Sequence, residues 1–227
     1  MQFDTRVVHD GQPNDPLTGA ISFPIYQTST FSQKEAGAPR EYMARTLSYA
    51  RSENPTRTAL ENAVASLEGG RFGLAFSSGL AAVNTALSLL SAGDHVVASR
   101  DLYGGSYRLF TKVWEKLGIE FTFVNAFNLG EIEPAIRKNT KLLWLESPSN
   151  PMLSVTDLAE AAKIAHAHGV KVVVDNTFAT PYLQQPLSLG ADFVVHSTTK
   201  YLGGHSDVVG GAIVTNDEET WKELKFY

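Results

Sequence analysis

From Thr56 onward, short apolar runs alternate with segments of helical periodicity, and this alternation restricts the chain to an α/β fold built on a mostly parallel sheet flanked by helices. Leu60, Val64 and Leu67 share one face of a helix over residues 58–67, which Gly69 and Gly70 stop. Residues 72–76 read as a strand, Ser77-Ser78-Gly79 as a turn, and the stretch through Leu80, Val83, Leu87 and Leu90 as a helix. Strands over 95–98, 120–124, 141–145 and 171–174 then alternate with helices over 106–117, 131–137 and 157–168, the last capped by Gly169. Residues 193–195 and 211–214 add two strands, the second open to antiparallel pairing.

Residues 1–55 have a different texture. Pro13, Pro16, Pro24, Pro39 and Pro55 punctuate them and no period is sustained, which predicts an extended arm with short local structure. A compact domain rarely contains so long an irregular segment, so the arm is expected to contact a neighbouring subunit, with a partly disordered tail as the rival reading. The α/β domain is expected over 56–227. Asp217 opens an amphipathic helix with Trp221 and Leu224 on one side, and the sequence stops there without a closing element, so the chain reads as truncated on that side.

With 227 residues, 43% of them hydrophobic, the chain can bury a sizeable core. The net charge of -5 disfavours a nucleic-acid partner, which needs a clustered basic face, and favours a small-molecule substrate. No run approaches the ~20 apolar residues of a membrane span, and Met1-Gln2-Phe3-Asp4 lacks a signal-peptide layout, so the expected compartment is the cytoplasm and no membrane partner is expected. There is no cysteine, hence neither a disulfide framework nor a thiolate metal site.

Four strand ends carry candidate chemistry. His196-Ser197-Thr198-Thr199-Lys200 offers a primary amine to an aldehyde, with hydroxyls at alternate positions for a phosphate, although lysines after strands are usually just solvent-exposed. Val172-Val173-Val174-Asp175 is an apolar strand ending in a carboxylate, and ligands of open α/β sheets bind beyond such ends; a simple turn cap is the plain alternative. Ser77-Ser78-Gly79-Leu80 stands at a strand-to-helix junction, where free backbone N–H groups bind phosphate and where Ser78 could equally be only an N-cap. Asp101-Leu102-Tyr103-Gly104-Gly105 puts an aromatic ring at the same sheet edge, able to stack on a flat ligand or exchange a proton, or to serve merely as a turn residue. All four being bland at once is much less plausible than any one of them.

Those segments, together with Tyr49 through Arg57, Glu146 through Pro151, Asp175 through Phe178 and Gly203 through Asp207, resemble the cystathionine-metabolising, trans-sulfuration family of pyridoxal-phosphate enzymes, from about residue 5 to the end. The resemblance implies the large domain of a fold-type I pyridoxal-phosphate enzyme, with the family's C-terminal small domain, and the arginine it brings for the substrate carboxylate, missing. It implies that Lys200 holds the cofactor and shuttles protons, and that Asp175 pairs with the ring nitrogen. Tyr103 would stack on the ring and help move a proton. Ser78, the Gly79 and Leu80 amides, and the Ser197 and Thr199 hydroxyls would bind the phosphate, with Tyr49 and Arg51 reaching the phosphate of a neighbouring subunit. Asn150 would lie near the 3-oxygen, and Arg108 is a further, less firm candidate. The partners implied are an amino-acid substrate and further copies of the chain, as a tetramer built of dimers.

The activity implied is γ-elimination or γ-replacement on cystathionine or an activated homoserine ester, by a cystathionine γ-synthase or γ-lyase. Homoserine-ester sulfhydrylase and cystathionine β-lyase are the alternatives within the family, and a non-catalytic cofactor-binding relative is the alternative outside enzymes. Gly105 stands where methionine γ-lyases typically carry cysteine, which weighs against that activity. A nicotinamide dehydrogenase conflicts with the glycines preceding the first strand instead of following it. His166 and His168 are two apart and do not share a helix face, so no metal site is expected there, and His205-Ser206-Asp207 reads as loop.

Overall fold

The computed structural model describes residues 2–43 and 45–227, and these divide into two compact units, one ending at Leu67 and the other running from Glu68 to Tyr227. The boundary expected at 55/56 falls one residue into the helix that begins at Pro55, and that whole helix belongs to the same compact unit as the arm.

The first unit holds α1 (Phe3–His9), an antiparallel hairpin of β1 (Arg40–Tyr42) and β2 (Arg45–Leu47), and α2 (Pro55–Leu67). The start of α2 is dictated locally: Asn54 Oδ1 accepts from the N–H groups of Thr56 (2.9 Å) and Arg57 (3.2 Å), and Pro55 sits where a missing N–H costs nothing. The arm is more ordered than an extended segment. Asp15 is buried and accepts from the Thr18 hydroxyl (2.6 Å) and the Tyr42 hydroxyl (2.5 Å), tying the segment before the hairpin to the hairpin itself. Gly11 has φ +76°, and a Cβ there would lie 2.2 Å from the Ala63 nitrogen, so only glycine lets the arm approach α2 so closely.

The second unit contains β3 (Phe72–Phe76), α3 (Gly79–Leu87), β4 (His95–Ser99), α4 (Gly104–Leu109), β5 (Glu120–Val124), α5 (Ile132–Ala135), β6 (Thr140–Glu146), α6 (Leu158–Ala167), β7 (Lys171–Asp175), α7 (Thr180–Leu183), β8 (Phe193–His196), β9 (Gly211–Thr215) and α8 (Glu218–Phe226). Seven strands form one sheet in the order β3-β9-β8-β7-β6-β4-β5. All neighbours pair in parallel except at β9, which runs antiparallel to both β3 and β8. Every strand other than β9 therefore ends at the same edge of the sheet.

Alternation along the strands divides the core into two layers. Val96, Ala98, Leu142, Trp144, Val173 and Val195 pack on one face, with Ala82, Val83, Ala86 and Leu87 of α3 and with Phe110. Val97, Leu143, Leu145, Val172 and Val174 pack on the other, with Leu158, Ala161, Ala162 and Ala165 of α6. The helix expected over 106–117 is instead three pieces: α4, a π turn over Phe110–Trp114 and a 3-10 turn over Glu115–Leu117. Phe110, the first residue of the π turn, is fully buried, stacked on Phe121 and edge-on to Trp144. No described helix is long and apolar enough to cross a membrane.

Candidate active site

The sheet edge where six strands end is also where the polar side chains gather. A cavity of about 240 Å³ opens there, lined by Ser78, Gly79, Leu80, Val83, Tyr103, Ser106, Glu146, Asn150, Asp175, Thr177, Phe178, Ser197, Thr199, Lys200 and Val209. Of the residues singled out from the sequence, Ser78, Gly79, Leu80, Tyr103, Asn150, Asp175, Ser197, Thr199 and Lys200 border this one cavity.

One wall is the start of α3. Ser78 is a true N-cap, its hydroxyl accepting from Ala81 N–H at 3.0 Å, and its carbonyl accepts from Ala82 N–H at 3.1 Å. Among the described residues, the Gly79 and Leu80 amides have no acceptor and stand as donors at the positive end of the helix. Gly79 is obligatory by space: a Cβ there would fall 2.6 Å from Ser197 Cβ and 2.8 Å from Ser197 Cα. Helix start and β8 end are thus pressed together, setting two potential anion donors side by side.

A second wall is carboxylate. Asp175 ends β7 and Glu146 ends β6, paired directly across the sheet. Asp175 accepts from the Thr177 N–H (3.0 Å) and the Thr177 hydroxyl (2.5 Å), which orient it. Burial pushes its carboxyl above the ordinary range, against the lowering effect of Thr177 and of nearby His196. Glu146 accepts from the Tyr103 N–H through Oε2 (2.7 Å) and from the Asn150 N–H through Oε1 (2.9 Å). Burial, then the neighbouring Asp175, push it up to about 8 despite those two hydrogen bonds. Two buried carboxyls side by side favour a cationic ligand group between them and the opening.

Other residues behave less simply. The Thr199 hydroxyl donates to Gly210 O (3.2 Å) and accepts from Gly210 N–H (3.0 Å), so its first commitment is to the backbone of the loop before β9. Ser106 Oγ is buried without a partner among the described residues while Ser106 borders the cavity. Arg108 is exposed and does not border it. Tyr49 and Arg51 lie in the first unit, where the Arg51 guanidinium sits 4.9 Å from the centre of the Tyr49 ring. His166 and His168 pair with different acids, Asp192 and Glu133, each at 3.0 Å. Among the described residues no group of histidine and acidic side chains is placed to hold a metal.

Sequence reading passed over Glu146, Thr177 and the buried group behind Asp175. There His196 Nε2 lies 2.5 Å from Glu68 Oε1, which also accepts from Asn176 Nδ2 at 2.8 Å, with all three residues fully buried. Some signal existed: Thr177 stands two residues after Asp175, the spacing of an Asx turn, and Glu146 and His196 are polar residues that close otherwise apolar strands, whereas nothing local marks Glu68.

The chain is 54% identical over 222 residues to a cystathionine beta-lyase of Lactococcus lactis subsp. cremoris, covering 98% of this chain and 57% of the relative. It is 54% identical over 226 residues to a cystathionine gamma-lyase of Bacillus subtilis, covering 100% of this chain and 58% of the relative. The solved structure of metB from Corynebacterium glutamicum superposes with a TM-score of 0.95 at 48% identity, covering 100% of this chain and 58% of that one. The chain thus spans a little over half the length of the relatives it matches. Its sheet and helices are those of a fold-type I pyridoxal-phosphate enzyme, and the family described as Cys/Met metabolism PLP-dependent enzyme matches residues 4–227. At that coverage and these identities, the chain belongs to the Cys/Met metabolism family of pyridoxal-phosphate-dependent enzymes.

Proposed function

We propose that the protein containing this chain carries out γ-elimination or γ-replacement on cystathionine or an activated homoserine ester, and that Lys200 and Asp175 are the two poles of its cofactor site. The observation that carries this reading is that a lysine amine, a buried carboxylate and a helix N-terminus with free amides border a single cavity of about 240 Å³. That set fits pyridoxal phosphate group by group. Lys200 suits the aldehyde, Asp175 the protonated ring nitrogen, and Gly79, Leu80 and Ser197 the phosphate. The Gly79 approach to Ser197 supports this fit, because a side chain at 79 would fill the space that the two phosphate donors share. Bound pyridoxal phosphate supplies an electron sink for a carbanion at the substrate's α-carbon.

The chain's own groups do the rest. Lys200 would hold the cofactor's aldehyde and, as a free amine, would serve as the base for the substrate's α- and β-protons. Asp175 would keep the ring nitrogen charged. Tyr103 would stack on the ring and move a proton to or from the substrate amine or the leaving group, and Asn150 would serve the 3-oxygen. Tyr49 and Arg51 would serve the phosphate of a neighbouring copy, which makes the working unit a homo-oligomer, a tetramer of paired dimers, in the cytoplasm. Cystathionine β-lyase is the second reading, favoured by the 54% identity to a relative so named. Methionine γ-lyase is disfavoured, because position 105, where such enzymes typically carry cysteine, is glycine in this chain.

Lys200→Ala is expected to abolish the visible absorbance that the wild-type chain acquires with pyridoxal phosphate. An unchanged spectrum would remove the assignment. Product analysis from cystathionine, with and without an added thiol, on a protein carrying the family's full length then separates elimination from replacement.

A further inference from the structure

Glu146 is a costly residue to bury at the sheet edge. It is 6% exposed, stands beside Asp175 in the register of β6 and β7, and bears the electrostatic penalty of that neighbour and of Asp101. An apolar residue in the same place would escape that penalty but would leave two backbone amides without their acceptor. What it does with its two oxygens is specific. Oε2 accepts from the N–H of Tyr103, at the start of α4 after β4, where no side chain of α4 itself caps the helix. Oε1 accepts from the N–H of Asn150, in the loop after β6. One carboxyl group therefore spans two loops that come from different strands, and each loop delivers to the cavity a residue that borders it.

Building on the cofactor reading above, we propose that Glu146 is a positioning residue that holds Tyr103 and Asn150 at one fixed separation, so that the ring face and the 3-oxygen are engaged together. Glu146 acts through backbone amides, so its removal changes where two side chains stand without deleting either one. Asp175 on β7 and Asp101 after β4 are the charged neighbours that raise it, and Tyr103 and Lys200 border the same cavity. Glutamine preserves its shape but replaces one acceptor oxygen with a donor, setting N–H against N–H at one of the two loops.

The test titrates the whole chain with pyridoxal phosphate and reads visible absorbance and visible circular dichroism for wild type, Glu146→Gln, Glu146→Asp and Lys200→Ala. Glu146→Gln is expected to bind about tenfold more weakly or worse, because one of the two backbone amides would face an N–H in place of an acceptor, and to lose dichroism per bound cofactor while its far-ultraviolet spectrum stays that of wild type. Glu146→Asp keeps the carboxyl but is a methylene too short to reach both amides, so it is expected to fall in the same direction and to serve should the glutamine variant not fold. Wild-type affinity and dichroism in either folded variant overturn the inference, while Lys200→Ala without a visible band leaves the cofactor reading standing. A visible band surviving in Lys200→Ala, or none in wild type, overturns that reading and this inference with it.

Discussion

Gly79 shows how much a single missing carbon can decide. The start of α3 and the end of β8 approach so closely that a methyl group at 79 would overlap both Cβ and Cα of Ser197. The overlap involves backbone, which cannot swing aside as a flexible side chain would. Gly79→Ala is therefore expected to destabilise the chain by about 1–3 kcal/mol, the usual cost of overpacking, and to weaken pyridoxal-phosphate binding by parting the Gly79 amide from Ser197. A thermal melt and a cofactor titration check the two effects separately, and normal values in both would show that the backbone relaxes freely. Thr177 works on the same scale: its hydroxyl and amide hydrogen-bond Asp175 and hold its carboxyl in one orientation, which the proposed cofactor would meet already set.

At the scale of elements, strands and their order explain why the chemistry lies where it does. Six of the seven strands end at one edge, and the turns that leave them carry Ser78, Tyr103, Asn150, Asp175 and Lys200. The arm is the other element with a proposed job. Its hairpin and α2 are anchored by Asp15, Tyr42 and Asn54, a rigid base from which Tyr49 and Arg51 can project. Arg51→Ala is expected to lower cofactor affinity about tenfold in the assembled protein, as loss of a charge-assisted phosphate contact does. Equilibrium dialysis measures this, and an unaltered affinity would contradict a site shared between copies. Helix 106–117 marks a limit of periodicity: seating Phe110 between Phe121 and Trp144 is a tertiary demand, met by a π turn that no apolar spacing announces.

Across the whole molecule, displaced acid and base groups set how stability responds to pH. Glu146 is raised from 4.5 to about 8, so the folded chain holds a proton that the unfolded chain has already released. Its contribution is full below the unfolded value and is lost as pH rises toward about 8. His95 is displaced the other way by burial between Thr140 and Thr122, so its contribution is present above the ordinary histidine range and lost as pH falls. Melts of the cofactor-free chain from pH 5 to pH 8 should therefore show wild type losing stability relative to Glu146→Gln, by up to about 1.4 kcal/mol per pH unit. Parallel curves for the two proteins would mean that Glu146 is ionised throughout.

The strand and helix order, the possible antiparallel pairing of the last strand, and the strand-end residues Ser78, Gly79, Tyr103, Asp175, Ser197, Thr199 and Lys200 were legible because each rests on local physics, while Asn150 was named only through the family resemblance. Alternation of apolar side chains defines a strand, a serine or asparagine before a helix caps it, and ligand chemistry collects beyond parallel strand ends. Tertiary structure alone decided the rest. Glu146 became a clamp only when β4 and β6 lay side by side, bringing Tyr103 and Asn150 within reach of one carboxyl. The pairing of Glu68 with His196 likewise joins residues 128 positions apart. No local pattern encodes such partners, because burial and proximity are properties of the packed sheet and not of the order of residues along the chain.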